Sequence, residues 1–139
     1  MHYHTSYIEI FTALEGELGL ELENKRQVIL QPGESFVVNI GDIHRFFNPG
    51  NKQIRFRNEV HPGHEGFENT LRILSGLAAD GLYNKKGIPK DITDLAICGI
   101  MSDMRLPGLM SLTTPILKII AARAIKSGKQ QQLLDRYCK

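Results

Sequence analysis

The sequence predicts a mainly β domain, a sandwich or small barrel, followed by three to four α-helices. Three observations carry this. From Tyr7 to Val60 the chain reads as short alternating runs broken by turn residues, with no helical period. The pattern changes at His61-Pro62-Gly63-His64-Glu65. Beyond it, apolar residues recur at the three-to-four spacing of helices. The expected division is a β domain over residues 1–62 and a helical extension over 63–139, packed on the first domain or on a dimer partner.

The strands follow from alternation. Leu18, Leu20 and Leu22 alternate with Glu17, Gly19, Glu21 and Glu23, which predicts a half-buried strand with a charged outer face. Asn24-Lys25-Arg26-Gln27 is a polar turn, and Val28 and Leu30 carry the next strand. Gln31-Pro32-Gly33-Glu34 is a proline–glycine turn. Phe36 to Ile40 is nearly continuous apolar sequence, so a buried strand is expected there. Gly41-Asp42 turns the chain into Ile43–Asn48, where His44, Phe46 and Asn48 share a face. After Pro49-Gly50-Asn51-Lys52, the stretch Gln53–Val60 alternates again through Ile54, Phe56 and Asn58. Arg55 and Arg57 fall on the opposite face, expected to be solvated.

In the second half, Phe67, Leu71, Leu74 and Leu77 predict a helix with Glu65 and Glu68 in its first turn and Gly81 after its end. A second helix is expected from Asp91 to about Met104. A third, Ile116–Ile125, is entered through Thr114 as N-cap and Pro115, and Lys129–Tyr137 forms a fourth. Asn84-Lys85-Lys86-Gly87 is expected to be a solvated loop. The third helix carries Lys118, Arg123 and Lys126 on an apolar body. Packing on the β domain or a second subunit is the expected use of that body, with a membrane-surface helix as the alternative.

Composition narrows the function classes. The chain has 139 residues, 42% hydrophobic and 23% charged, with a formal net charge of +2. That charge is too small to argue for nucleic acid, and no basic patch is interleaved with aromatics. Cys98 and Cys138 lie in expected helices without metal-type spacing, which points to a reducing, cytoplasmic setting. No apolar run is expected to approach the ~20 residues that a membrane span needs. Exposed strand edges favour a homodimer.

The chemistry concentrates at His2-Tyr3-His4-Thr5-Ser6-Tyr7-Ile8-Glu9. Side chains two apart leave a strand on one face, so His2 and His4 can converge. Glu9 lies an odd number of residues beyond His4. A turn through Thr5-Ser6, folding Tyr7–Phe11 back as a second strand, brings it to the same side. On that strand Tyr7, Glu9 and Phe11 share a face and Ile8 and Ile10 the other. Two imidazoles beside a carboxylate are what a nitrogen-plus-oxygen metal site requires.

Together with the stretch ending in Gly41, His44 and Asn48, this segment resembles the paired motifs of the cupin family. The first motif reads His-x-His, three or four residues, Glu, six residues, Gly, and His2, His4, Glu9 and Gly16 fit it. The second reads Pro-x-Gly-x-x-His-x-x-x-Asn, and Gly41, His44 and Asn48 fit, with Asn39 where proline is usual. The resemblance covers about residues 1–60. It implies a double-stranded β-helix, a jelly-roll barrel, whose divalent metal (zinc, iron, manganese or nickel, with copper also compatible) is held by His2, His4, Glu9 and His44. It names no reaction. The expected role is binding or transforming a small polar organic molecule, as a metal-dependent oxygenase or isomerase, or as a non-catalytic sensor or scaffold.

The family places a glycine and further strands before the first histidine, whereas here only Met1 precedes His2. Support for His2 is therefore expected from a partner chain, from the C-terminal segment, or from residues upstream of this start. His61 and His64 have spacing that admits a second metal site, but a surface loop is the expectation there.

Overall fold

The computed structural model describes residues 1–139, which divide into two compact units, Met1–Gly63 and His64–Lys139. The first holds six strands: β1 (Ile8–Glu15), β2 (Leu18–Leu22), β3 (Gln27–Leu30), β4 (Ser35–Val38), β5 (His44–Phe47) and β6 (Arg55–His61). They form two antiparallel three-stranded sheets, ordered β4-β1-β6 and β3-β2-β5. Both sheets contribute to one core of Phe11, Ala13, Leu18, Leu20, Leu30 and Val38, with Phe36, Ile54 and Phe56 packed against it. The alternation along β1 and β2 thus sets which face of each sheet turns inward.

Register fixes the inward face of β1. Glu9 stands opposite Val38 on one side and Val60 on the other, and Phe11 opposite Phe36 and Asn58. Tyr7, Glu9, Phe11 and Ala13 are all buried, whereas Ile8 and Ile10 are partly exposed. The shared face expected for Tyr7, Glu9 and Phe11 is present, but the predicted hairpin is not. The Thr5-Ser6 bend carries the chain from one sheet to the other: His2 bridges to His44 of β5, while β1 pairs with β4 and β6. Gly16, at φ +71°, makes the second crossing, from β1 to β2. A Cβ there would lie 3.0 Å from Ile54, so glycine answers both a backbone and a space requirement.

The Phe36–Ile40 run is not a buried strand. β4 covers only Ser35–Val38 and lies at a sheet edge, so Val37 and Ile40 are 44% and 53% exposed. An edge strand needs apolar residues on its inward face alone. Arg55 and Arg57 point outward as expected, paired with Glu15 and Glu59 at the surface.

The second unit is helical: α1 (Glu65–Ala79), α2 (Ile92–Met101), α3 (Thr114–Lys126) and α4 (Lys129–Tyr137). Its core joins Ile73 and Leu77 of α1, Ile97 and Cys98 of α2, Ala124 of α3 and Leu133 of α4. Burial, with Asp94 nearby, pushes the Cys98 thiol up to about 12, in keeping with a core residue. Over the whole chain more residues lie in helices than in strands, which corrects the mainly β expectation.

Two helix boundaries differ from expectation. α2 ends at Met101 because Ser102 hydrogen-bonds back to the Cys98 carbonyl and Asp103 adopts φ +51°. Thr114 is not an N-cap: Gly108–Thr113 already forms a 3₁₀ segment, and the Thr114 amide donates to the Ser111 carbonyl. That segment and α3 make one helical stretch, Gly108–Lys126, of 19 residues. By length and composition it is long and apolar enough to cross a membrane, which corrects the expectation that no run approaches that length.

Candidate metal centre

The two sheets bring His2, His4, Glu9 and His44 together, one potential ligand atom from each lying within 4.8 Å of all the others. His4, Glu9 and His44 are buried and His2 is partly so. Glu9 comes from the centre of one sheet and His44 from an outer strand of the other. The His2 ring lies 4.4 Å from that of His44 and 4.9 Å from that of His4, centroid to centroid.

His2 is supported from within its own chain. Its amide donates to the His44 carbonyl at 3.0 Å, and the His44 amide donates to the His2 carbonyl at 2.9 Å. The Gly41 amide donates to the His4 carbonyl at 2.9 Å, holding the other end of the segment. β5 thus holds the backbone of His2 within this chain.

Each ring is oriented by a further contact. His44 Nδ1 donates to the Asp42 carbonyl at 2.9 Å, and because a carbonyl only accepts, Nδ1 carries a proton. Its Nε2 then faces Glu9 Oε2 at 2.8 Å. His4 Nδ1 lies 2.6 Å from the buried Tyr7 hydroxyl, which leaves Nε2 facing Glu9 Oε2 at 3.4 Å. The other carboxylate oxygen, Glu9 Oε1, accepts from Asn58 Nδ2 at 2.7 Å.

The electrostatics favour the ligating forms. Burial, followed by the neighbouring His44 and His4, pushes the His2 imidazole from 6.5 down to about 3, with Glu9 pulling weakly the other way. A neutral imidazole offers a lone pair. Burial alone raises the Glu9 carboxyl, but His44, the Asn58 amide and the nearby His4 together outweigh it. Glu9 is thus held below its ordinary range, as an anion.

The Glu9–His44 contact tests whether these residues fit a cation. Glu9 Oε2 and His44 Nε2 are both buried and lie 2.8 Å apart. A carboxylate oxygen and an imidazole nitrogen this close in a low-dielectric interior share a positive charge, which either a proton on Nε2 or a bound metal ion supplies. Three imidazole nitrogens and a carboxylate suit zinc, iron, manganese or nickel.

Asn58 was missed as a member of the site. Its signal was a polar side chain at an inward position of β6, in register with Ile54 and Phe56. Asn48, by contrast, is a turn residue: its Oδ1 accepts from the Gly50 amide and its Nδ2 donates to the Lys52 carbonyl. Asn39 also has a turn role, since its amide donates to Asp42 Oδ2 at 2.9 Å, which a proline could not do. His64 caps α1 by accepting from the Phe67 amide, and neither it nor His61 belongs to the cluster. Asn84 folds its own loop by accepting from the Lys86 and Ile88 amides.

Beside His44 the interior is aromatic. Phe11 lies 6.2 Å from its ring, and Phe46 packs on Phe11 and Phe56 at 5.8 and 5.1 Å. Phe46 is 48% exposed, so this wall runs from the buried cluster to solvent.

A family model described as a cupin domain matches residues 1–61. This part of the chain is a cupin domain. No curated protein and no solved structure matches the chain.

Proposed function

We propose that the cupin domain holds a divalent metal through His4, Glu9, His44 and His2 and receives a small polar organic molecule beside it. The observation that carries this reading is the convergence of four potential ligand atoms, from His2, His4, Glu9 and His44, within 4.8 Å of one another in a largely buried site. When bound, a metal here would polarise a ligand oxygen or lower the pKa of a coordinated water. Glu9 would supply the negative charge, Tyr7 and the Asp42 carbonyl would hold two rings in their ligating tautomers, and Asn58 would hold the carboxylate. The Phe11–Phe46–Phe56 wall would pack the carbon skeleton of the incoming molecule and exclude water from one side.

Within this reading, residues 1–62 form a double-stranded β-helix that carries the site, and residues 63–139 form an accessory helical unit. Oxygenase or isomerase chemistry fits the donor set. The second reading is a binding or sensor module. It is favoured by the engagement of Tyr7 and Asn58, the polar side chains bonded to the ligands, in holding those ligands. Pairing of two copies along open strand edges belongs to the same proposal and is tested by the mass in solution.

Elemental analysis of purified protein beside His44→Ala is the deciding experiment. Near-stoichiometric metal that is lost in the variant is expected. Native protein that takes up no divalent ion at neutral pH would remove the metal reading. With metal established, a small molecule that raises Tm and is consumed supports the enzyme, and one that raises Tm unchanged supports the sensor.

A further inference from the structure

We propose that the outer face of α3 and the 3₁₀ segment before it docks on an anionic membrane surface. Five large apolar side chains crowd the stretch from residue 109 to 119: Leu109, Met110, Leu112, Ile116 and Ile119 are 84%, 59%, 69%, 62% and 54% exposed. Single exposed apolar residues need no explanation, but a contiguous group marks an interaction surface. α3 already has a buried side, through Ala121 and Ala124, so this face is additional to the one that holds the helix in its unit.

Charge selects the occupant. From Met104 to Leu134 the chain contains no Asp or Glu, but it contains Arg105, Lys118, Arg123, Lys126 and Lys129. Arg105 is paired with Asp103, and Lys129 with Asp91 and Asp94. Lys118, Arg123 and Lys126 form no ion pair and are exposed; Arg123 and Lys126 share the face of Ile116 and Ile119, and Lys118 borders it on the side of the α2 groove. A second copy laid on this face would bring these cations against their own equivalents, with no acidic residue in the segment to meet them. A bilayer of anionic lipid offers apolar depth to the isoleucines and negative headgroups to the cations.

The geometry points to lying in the interface rather than crossing it. Lys118 falls near the middle of the 19-residue stretch Gly108–Lys126, where a spanning helix would bury its charge in hydrocarbon. At the surface its stem can lie along the apolar face while the ammonium stays among headgroups.

Co-sedimentation of the full chain with vesicles tests this, using equal parts phosphatidylcholine and phosphatidylglycerol against phosphatidylcholine alone. Three basic residues near an anionic surface should favour the mixed vesicles on the order of a hundredfold, and salt should erode that preference. Ile116→Glu with Ile119→Glu should weaken binding about tenfold or more, because it removes the apolar insertion. Lys118→Gln, Arg123→Gln and Lys126→Gln together should abolish the preference for phosphatidylglycerol. All five positions are solvent-exposed, and circular dichroism melts verify that the variants stay folded. No binding, or equal binding to both vesicle types, would overturn the proposal. A solution dimer that falls apart in the double isoleucine variant would also overturn it, giving the face to a second copy.

Discussion

Glu9 Oε2 of β1 and His44 Nε2 of β5 meet at 2.8 Å, although their strands belong to different sheets. The contact exists because each sheet turns one buried polar side chain inward at the same level. Asn58 fixes the carboxylate by donating to its other oxygen at 2.7 Å. Asn58→Leu keeps the volume and removes the donor. Metal affinity should fall about 10–100-fold with the fold retained, as measured by competition with a chromogenic chelator. Unchanged affinity would take Asn58 out of the site.

Acid should loosen the metal-free protein through two groups acting in the same direction. Glu9 is held below its ordinary value of 4.5, so it contributes stability above that pH and loses it as pH falls through its folded value. His2 is pushed from 6.5 to about 3, so the unfolded ring gains a proton on acidification well before the folded ring does. Stability should therefore decline from pH 6.5 towards pH 3, by on the order of 3 kcal/mol from His2 after allowance for the water that still reaches its ring. Tm measured against pH should show the decline, and His2→Ala should flatten its upper part. An unaltered profile in that variant would contradict the assignment.

Lys129 ties α4 to two carboxylates of the α2 N-terminus. It pairs with Asp91, the α2 N-cap, and lies 2.8 Å from Asp94, which is only 6% exposed. Lys129, with the Thr93 side chain and amide, holds the Asp91 carboxyl down at about 2. Lys129→Met leaves Asp94 buried without its cation and should cost about 2–3 kcal/mol in urea unfolding. Adding Asp94→Asn should recover part of that loss, because the buried group is then neutral.

Gly76 reverses the usual helix rule. Alanine in a helix interior is ordinarily better than glycine by about 1 kcal/mol. Here a Cβ would come 2.1 Å from the Tyr137 ring, whose hydroxyl donates to Asp80 at 2.7 Å. Gly76→Ala should destabilise the protein by about 1–2 kcal/mol because the ring must move and give up that bond. In a Tyr137→Ala background the same change should be stabilising, and thermal melts of the four proteins would read the change of sign.

Much of the candidate site, as a cluster of four side chains, was legible because metal-type chemistry needs particular residues at short spacing. His2, His4 and Glu9 lie in one stretch, and His44 follows a glycine turn. Asn58 was less legible, since an inward asparagine in an alternating strand looks the same whether it faces a carboxylate or a turn. Asn48, which occupies a family motif position, turned out to serve its own loop.

The sequence alone determined the inward faces of β1 and β2, the change from strands to helices at residues 61–65, and the membership of the His/Glu cluster. Those features follow from side-chain periodicity and turn chemistry, which act within a few residues. Tertiary structure alone decided that the Thr5-Ser6 bend crosses between sheets, that β4 is an edge strand, and that β5 holds the backbone of His2. Each depends on which strand lies next to which, a choice made by hydrogen bonds between segments distant in the chain. The same holds for α3: composition says that it is apolar and basic, but only packing against Ala121 and Ala124 leaves its isoleucines outside.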